Sequence, residues 1–192
     1  MIPLTLNADD VQVLFADLQP NLVANSRTVQ PQAIAAAARV LAEIAHILNV
    51  PMTFATVPVQ GKAGAVISEL QGYADQHNTF ERFAAGTFMQ PAIEATLSSH
   101  RRKTLIISGF STEVAVLQSA LAAIQVGYTV LIAVDAIGSR SLRTESAALK
   151  HMELAGALLT SVLSVGALLA PDFSQPPGSS VLSALADLRL VD

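Results

Sequence analysis

Residues 104–141 read TLIISGFSTEVAVLQSALAAIQVGYTVLIAVDAIGSRS, and the reading of this stretch decides the fold. Residues 104–109 (TLIISG) are a short apolar run rich in isoleucine, the pattern of a strand buried on both faces. Residues 111–126 follow as a helix, and Gly127 suits the left-handed residue that ends one. Residues 129–135 (TVLIAVD) make a second apolar run that stops at an acid. Strand, helix and strand in this order form the unit of a parallel sheet, because parallel neighbours need a long crossover between them.

The same alternation extends outward. Residues 11–17 (VQVLFAD) read as another buried strand ending in a carboxylate. Residues 31–48 place Ile34, Leu41, Ile44 and Leu48 on one helical stripe, with Pro31 in the first turn, where a missing N–H costs nothing. Residues 52–57 and 78–83 are further strands. Residues 144–154 are helical and closed by Gly156, and residues 157–160 form a short last strand. The pattern predicts one α/β domain over residues 1–192, a mainly parallel sheet with helices on both faces. It has no internal repeat. QPPGSS at 175–180 resembles a spacer, and the 175–192 tail carries an amphipathic segment, 181–190, expected to pack on the domain or on a partner subunit.

Composition narrows the function. Of 192 residues 52% are hydrophobic and only 14% charged, so the chain folds rather than staying disordered. Its low charge also suggests a surface partly covered by copies of itself, a homo-oligomer. The net charge is −4, and the one basic cluster, Arg101, Arg102 and Lys103, precedes an apolar run as a solvated strand entry. No nucleic-acid partner is expected. The apolar runs are too short to span a bilayer, and the start lacks a basic segment followed by an apolar one. The expected setting is therefore cytoplasmic, with no membrane partner. The chain has no cysteine, which excludes disulfides, thiolate metal sites and thiol catalysis. His46, His77, His100 and His151 lack ligand spacing, so no metal and no cofactor are expected.

In an open parallel sheet, ligands bind beyond the carboxyl ends of the strands. That rule selects Asp17, the 109–112 turn and the 135–139 turn. A helix starting near Thr112 would point free N–H groups into the same crevice. Ordinary punctuation explains these residues equally well. An acid ending a strand is commonly a turn former, serine and threonine before a helix are commonly caps, and Asp135 can hold the following loop through backbone bonds.

Three ordered motifs separate the two explanations. Residues 109–128 (GFSTEVAVLQSALAAIQVGY) and the following TVLIAVDAIGSRS are similar to the block G-x-x-T-[DE]-x-C-V, helix, G-[YF], strand, D-A-x-x-[ST] of the isochorismatase-like cysteine hydrolases. Residues 13–19 (VLFADLQ) resemble that family's apolar strand ending D-x-Q, and RTESAALKHMELAGALLTSV fits its later helix, turn and strand. The resemblance covers most of residues 11–162 and implies a three-layer Rossmann-like domain, a homo-oligomer and a hydrolase of small molecules. It assigns Asp17 to the catalytic aspartate and Gln19 to its neighbouring glutamine. The family lysine falls in FERFAAGTF on Arg82, or one position away on Glu81. The family cysteine falls on Ala115. Gln19, Phe88, Ser111 and Thr112 are the expected substrate contacts. The metal-binding aspartate and histidine cluster of nicotinamidases has no counterpart in residues 57–66.

A methyl group at position 115 cannot attack a carbonyl, so acyl-enzyme chemistry is closed there. The resemblance leaves a cysteine-free route, in which an aspartic acid protonates the vinyl carbon of an enol ether and water captures the oxocarbenium ion. Asp17 would be that acid or base and Arg82 an anion clamp, although an adjacent cation should favour the carboxylate. The alternative is a silent member that keeps the fold for binding or assembly. Ser111 or Ser119 as replacement nucleophile is a further possibility. A nucleotide-binding module would need G-x-G-x-x-G after the first strand, where LQPNLV stands.

Overall fold

The computed structural model describes residues 6–62 and 64–188. Six strands, β1 (Val11–Ala16), β2 (Met52–Thr56), β3 (Thr79–Glu81), β4 (Thr104–Phe110), β5 (Thr129–Gly138) and β6 (Leu158–Thr160), form one sheet in the order β3-β2-β1-β4-β5-β6. Every pairing is parallel. The order runs outward in both directions from β1 and β4, which places the switch point of the topology beside Asp17.

Helices α1 (Pro20–Val23), α2 (Pro31–Ile47), α3 (Pro91–Ser99), α4 (Leu117–Gln125), α5 (Leu142–Ala155), α6 (Val162–Leu169) and α7 (Gly178–Leu185) cover both faces. Strand alternation sorts the core. Val11, Val13 and Phe15 point to one side, where they pack with Ile34, Leu41 and Ile44 of α2 and with residues of α6 and α7. Leu14, Leu105 and Ile107 point to the other, against Ile93 and Leu97 of α3, Ala120 of α4 and Met152 of α5. Each such side chain contributes roughly 1.5–3 kcal/mol by burial. The three-layer parallel α/β domain expected from the sequence is thus the observed fold.

The sequence reading left helices α1, α3 and α6 unassigned, and the other differences fall at element ends. β5 continues through Asp135 to Gly138, because its register with β4 shifts between Ile107 and Gly109 and the Ser108 hydroxyl donates to the Ala136 carbonyl at 2.6 Å. The helix expected over 111–126 opens with a π-helical turn, Thr112–Val116, before α4. Gly127 and Gly156 take positive φ values of 97° and 107°, the left-handed stops their positions suggested. In the tail, α7 lies on α2 and α6 of its own domain, with Val181 and Leu185 buried. The remainder of the expected 181–190 segment, residues 189–190, lies outside the described residues.

Candidate active site

Asp17 follows directly on β1 and adopts φ +58°, a left-handed conformation that aspartate tolerates better than most residues. Its N–H still donates to the Ala55 carbonyl at 2.9 Å, so the carboxylate is held at the carboxyl edge of the sheet. Arg82 comes off β3 two strands away, its own N–H on the Thr56 carbonyl at 2.9 Å. Asp17 and Arg82 are only 6% and 2% exposed. Arg82 Nη2 donates to Asp17 Oδ2, and Nη1 donates to the Ala84 carbonyl. Of the two residues considered for the cation, Arg82 and not Glu81 pairs with Asp17.

Burial pushes the Asp17 carboxyl up to about 6, and Arg82 only partly offsets this. Burial also holds the Arg82 guanidinium below its usual value, against the pull of Asp17. The expectation that the neighbouring cation would dominate is therefore corrected: desolvation of the carboxylate outweighs the ion pair. Among the described residues, Asp17 Oδ1 is buried without a hydrogen-bond partner. A buried acceptor left unpaired in this way costs about 1–3 kcal/mol.

Asp17 opens into a cavity of about 430 Å³, whose wall includes Ser111, Ala115, Val57, Phe110 and Arg140. Ala115 sits in the π-helical turn and is buried. The geometry thus brings together Asp17, Arg82, Ala115 and Ser111, four residues separated by up to 98 positions (115 − 17).

Other expected contacts lie elsewhere. Gln19 is fully buried, and both ends of its carboxamide grip Val57: Nε2 donates to the carbonyl at 2.9 Å, and Oε1 accepts the N–H at 2.8 Å. Its engaged amide shapes the cavity wall from behind. Gly64 makes this possible, since a Cβ there would collide with the Gln19 amide and the Val57 carbonyl. Thr112 is buried with its hydroxyl 3.0 Å from the Gly138 carbonyl and 3.1 Å from Glu145 Oε1, tying the π-helical turn to β5 and α5. Phe88 stands edge-to-face with Tyr128, ring centroids 6.1 Å apart, beside the amino end of β5 and in the wall of a different cavity. Proximity to Arg82 in sequence misplaces it, because the chain runs from Arg82 along α4 toward the opposite sheet edge.

Ser119, considered as a nucleophile, is buried and donates to the Ala115 carbonyl at 2.6 Å while accepting from Thr87 Oγ1 at 2.9 Å. Asp135 accepts the Val162 N–H with both oxygens at 3.0 and 3.1 Å, so it caps α6, and burial raises its carboxyl above the ordinary value. Sequence reasoning missed Arg140 and Glu113 in the cavity wall. The signal for Arg140 was its place one residue beyond the turn that follows β5. Among the described residues, no three or more histidines, aspartates or glutamates are grouped so as to hold a metal, and no helix is long and apolar enough to cross a membrane.

A parallel α/β sheet with an acid–cation pair at its topological switch point is a Rossmann-like domain with a candidate site where such sheets bind ligands. Residues 11–163 match the Isochorismatase domain, and the chain belongs to that family. It is 28% identical to the secreted isochorismatase effector Isc1 of Phytophthora sojae, over 90% of this chain and 79% of that protein. Among solved structures, YcaC from Pseudomonas aeruginosa, with hexane-2,5-diol and covalent acrylamide, superposes with a TM-score of 0.88 at 28% identity, covering 99% of this chain and 96% of the other. The Escherichia coli YcaC product, described as an octameric hydrolase of unknown specificity, does so at 0.87 and 26%, covering 98% and 90%.

Proposed function

We propose that this chain is an isochorismatase-like hydrolase of a small molecule that works without a cysteine nucleophile, with Asp17 as general acid and base. One observation carries the reading: Asp17, a buried carboxyl with a value of about 6 and one oxygen without a hydrogen-bond partner, belongs to the same cavity wall as Ala115. Arg82 binds Oδ2 and leaves Oδ1 without a partner, so its role is to position Asp17 rather than to clamp an anion. In the enol-ether reaction the protonated carboxyl delivers its proton to the vinyl carbon. The ether oxygen's lone pair stabilises the cation, water adds to the oxocarbenium carbon, and the carboxylate takes up the proton that this water loses. Collapse of the hemiketal releases the alcohol and leaves a carbonyl. A positioned acid of matched value contributes typically ~10²–10⁴-fold.

Homo-oligomerisation belongs to the same proposal. Phe83 and Leu154 are 83% and 80% exposed, the octameric relative supplies the precedent, and light scattering of the purified protein tests it. Cytoplasmic action is proposed too, against the precedent of a secreted relative, and cell fractionation decides between them.

The deciding experiment is turnover of isochorismate, 2-methoxyacrylate and a set of small amides by the parent protein and Asp17→Asn. Enol-ether loss that vanishes in the variant supports the acid mechanism. No turnover by a folded parent favours the silent binding or assembly role. Amide cleavage would require a nucleophile other than position 115 and would overturn the proposal.

A further inference from the structure

Arg140 is the cation of the cavity wall, and the proposed chemistry leaves it without a task. Arg82 is engaged on both sides by Asp17 and the Ala84 carbonyl. Arg140 is exposed and belongs to none of the ion pairs among the described residues. Its backbone is nevertheless mounted rigidly. The preceding Ser139 accepts the Arg27 N–H at 2.7 Å through its carbonyl and donates its N–H to Thr28 Oγ1 at 2.8 Å. The Ser139 hydroxyl donates to Glu113 Oε2 at 2.6 Å, and the Thr144 hydroxyl lies 3.3 Å from Glu113 Oε1. Both oxygens of Glu113 are thereby turned toward the start of α5.

Besides Arg140, Asp17, Glu113 and Ser111, the wall is built from the apolar side chains Leu22, Val57, Phe110, Val114 and Ala115. A ligand filling this space shares one wall with a planar cation, with hydrocarbon side chains and with Asp17. Guanidinium pairs with a carboxylate through two parallel hydrogen bonds, which fixes orientation as well as adding affinity. A second negative charge would meet Glu113 in the same wall and find no second cation to offset it.

We propose, building on the hydrolase reading above, that the substrate is a monoanion with an apolar body, its carboxylate paired with Arg140 and its reacting group against Asp17. Arg140 is then the specificity residue of the cavity. Isochorismate, with two carboxylates, falls outside the preferred class, whereas a monocarboxylate enol ether falls within it.

Calorimetric titration of benzoate, neutral benzamide and dianionic phthalate tests the assignment in the parent, Arg140→Gln, Arg140→Lys and the cavity-filling Val114→Trp. Benzoate should bind the parent and weaken about tenfold in Arg140→Gln, the scale of one partly solvated charged hydrogen bond. Arg140→Lys should recover part of that loss, and Val114→Trp should abolish binding. Benzamide affinity should be the same with or without Arg140, and phthalate should bind more weakly than benzoate. Benzoate affinity indifferent to Arg140, phthalate binding tighter than benzoate, or no benzoate binding would each overturn the inference. Arg140-dependent benzoate binding without turnover of any substrate defeats the hydrolase reading alone. Asp17-dependent turnover with equal kcat/KM for neutral and anionic substrates defeats the Arg140 assignment alone.

Discussion

Replacing Arg82 with methionine should move the Asp17 carboxyl further up from its present value of about 6. The two influences on that carboxyl are burial, which raises it, and Arg82, which lowers it. Deleting the cation leaves burial unopposed, and an opposite charge at contact distance is worth about 1–3 units. At roughly 1.4 kcal/mol per unit, the carboxylate form loses about 1–4 kcal/mol. The sign for stability follows from linkage. A carboxyl raised in the folded state holds its proton longer than the unfolded chain does, whose aspartates titrate near 3.9. Its contribution is full below about pH 4 and lost as pH climbs toward 6 in the parent; in Arg82→Met the loss continues to higher pH. Carbon-13 NMR titration of aspartate carboxyls, with Asp17→Asn assigning the resonance, reads the value directly. Urea denaturation across pH 4–9 reads the energy. Arg82→Gln, which keeps a donor near Oδ2, should give a smaller rise of the same sign if the methionine variant folds poorly. A parent value at or below the unfolded 3.9 would refute the claim that burial dominates the pair, and a value that stays put or falls in both variants would refute the pull assigned to Arg82.

Other consequences are independent of that pair. Ala115→Cys should place the chain's sole thiol in the cavity beside Asp17. A single acrylamide adduct by mass spectrometry is expected, forming more slowly when Asp17→Asn is added, and a folded variant that stays unmodified would contradict the assignment of position 115. Gly64→Ala should destabilise by roughly 1–3 kcal/mol, because the added methyl overpacks the Gln19 grip on Val57; a change in denaturation free energy under about 0.5 kcal/mol would show that the grip yields freely. Ser119→Ala should lower stability by roughly 1–3 kcal/mol through the buried hydroxyl it removes while leaving measurable turnover. Lost turnover at unchanged stability would instead make Ser119 the nucleophile.

Much of the architecture was legible in local pattern. Runs such as TLIISG and TVLIAVD are apolar on both faces because strands covered by helices on two sides bury most of their residues. The glycines after two helices sit where left-handed backbone is needed. Asp17 stood out because a carboxylate at a central strand end coincides with where parallel sheets bind ligands. Identity of the partner cation was harder: Arg82 and Glu81 are adjacent in sequence, and only the pairing of β2 with β3, Thr56 opposite Glu81, puts the following residue over Asp17.

Roles assigned by sequence neighbourhood fared less well than positions did. Gln19 and Thr112 carry hydrogen-bonding groups that a motif reads as ligands, but their partners are Val57, Gly138 and Glu145, all remote in the chain. Phe88 lies six residues from Arg82 yet faces the opposite edge of the sheet. The sequence by itself determined the six strands and the helices α2, α4 and α5, that this chain supplies no thiol, and which acid ends the central strand, since these follow from periodicity and composition. Tertiary structure alone decided that burial outweighs the ion pair at Asp17 and that Arg140 shares its cavity. Desolvation depends on every atom packed around a group, and contact across strands is invisible until the chain has folded.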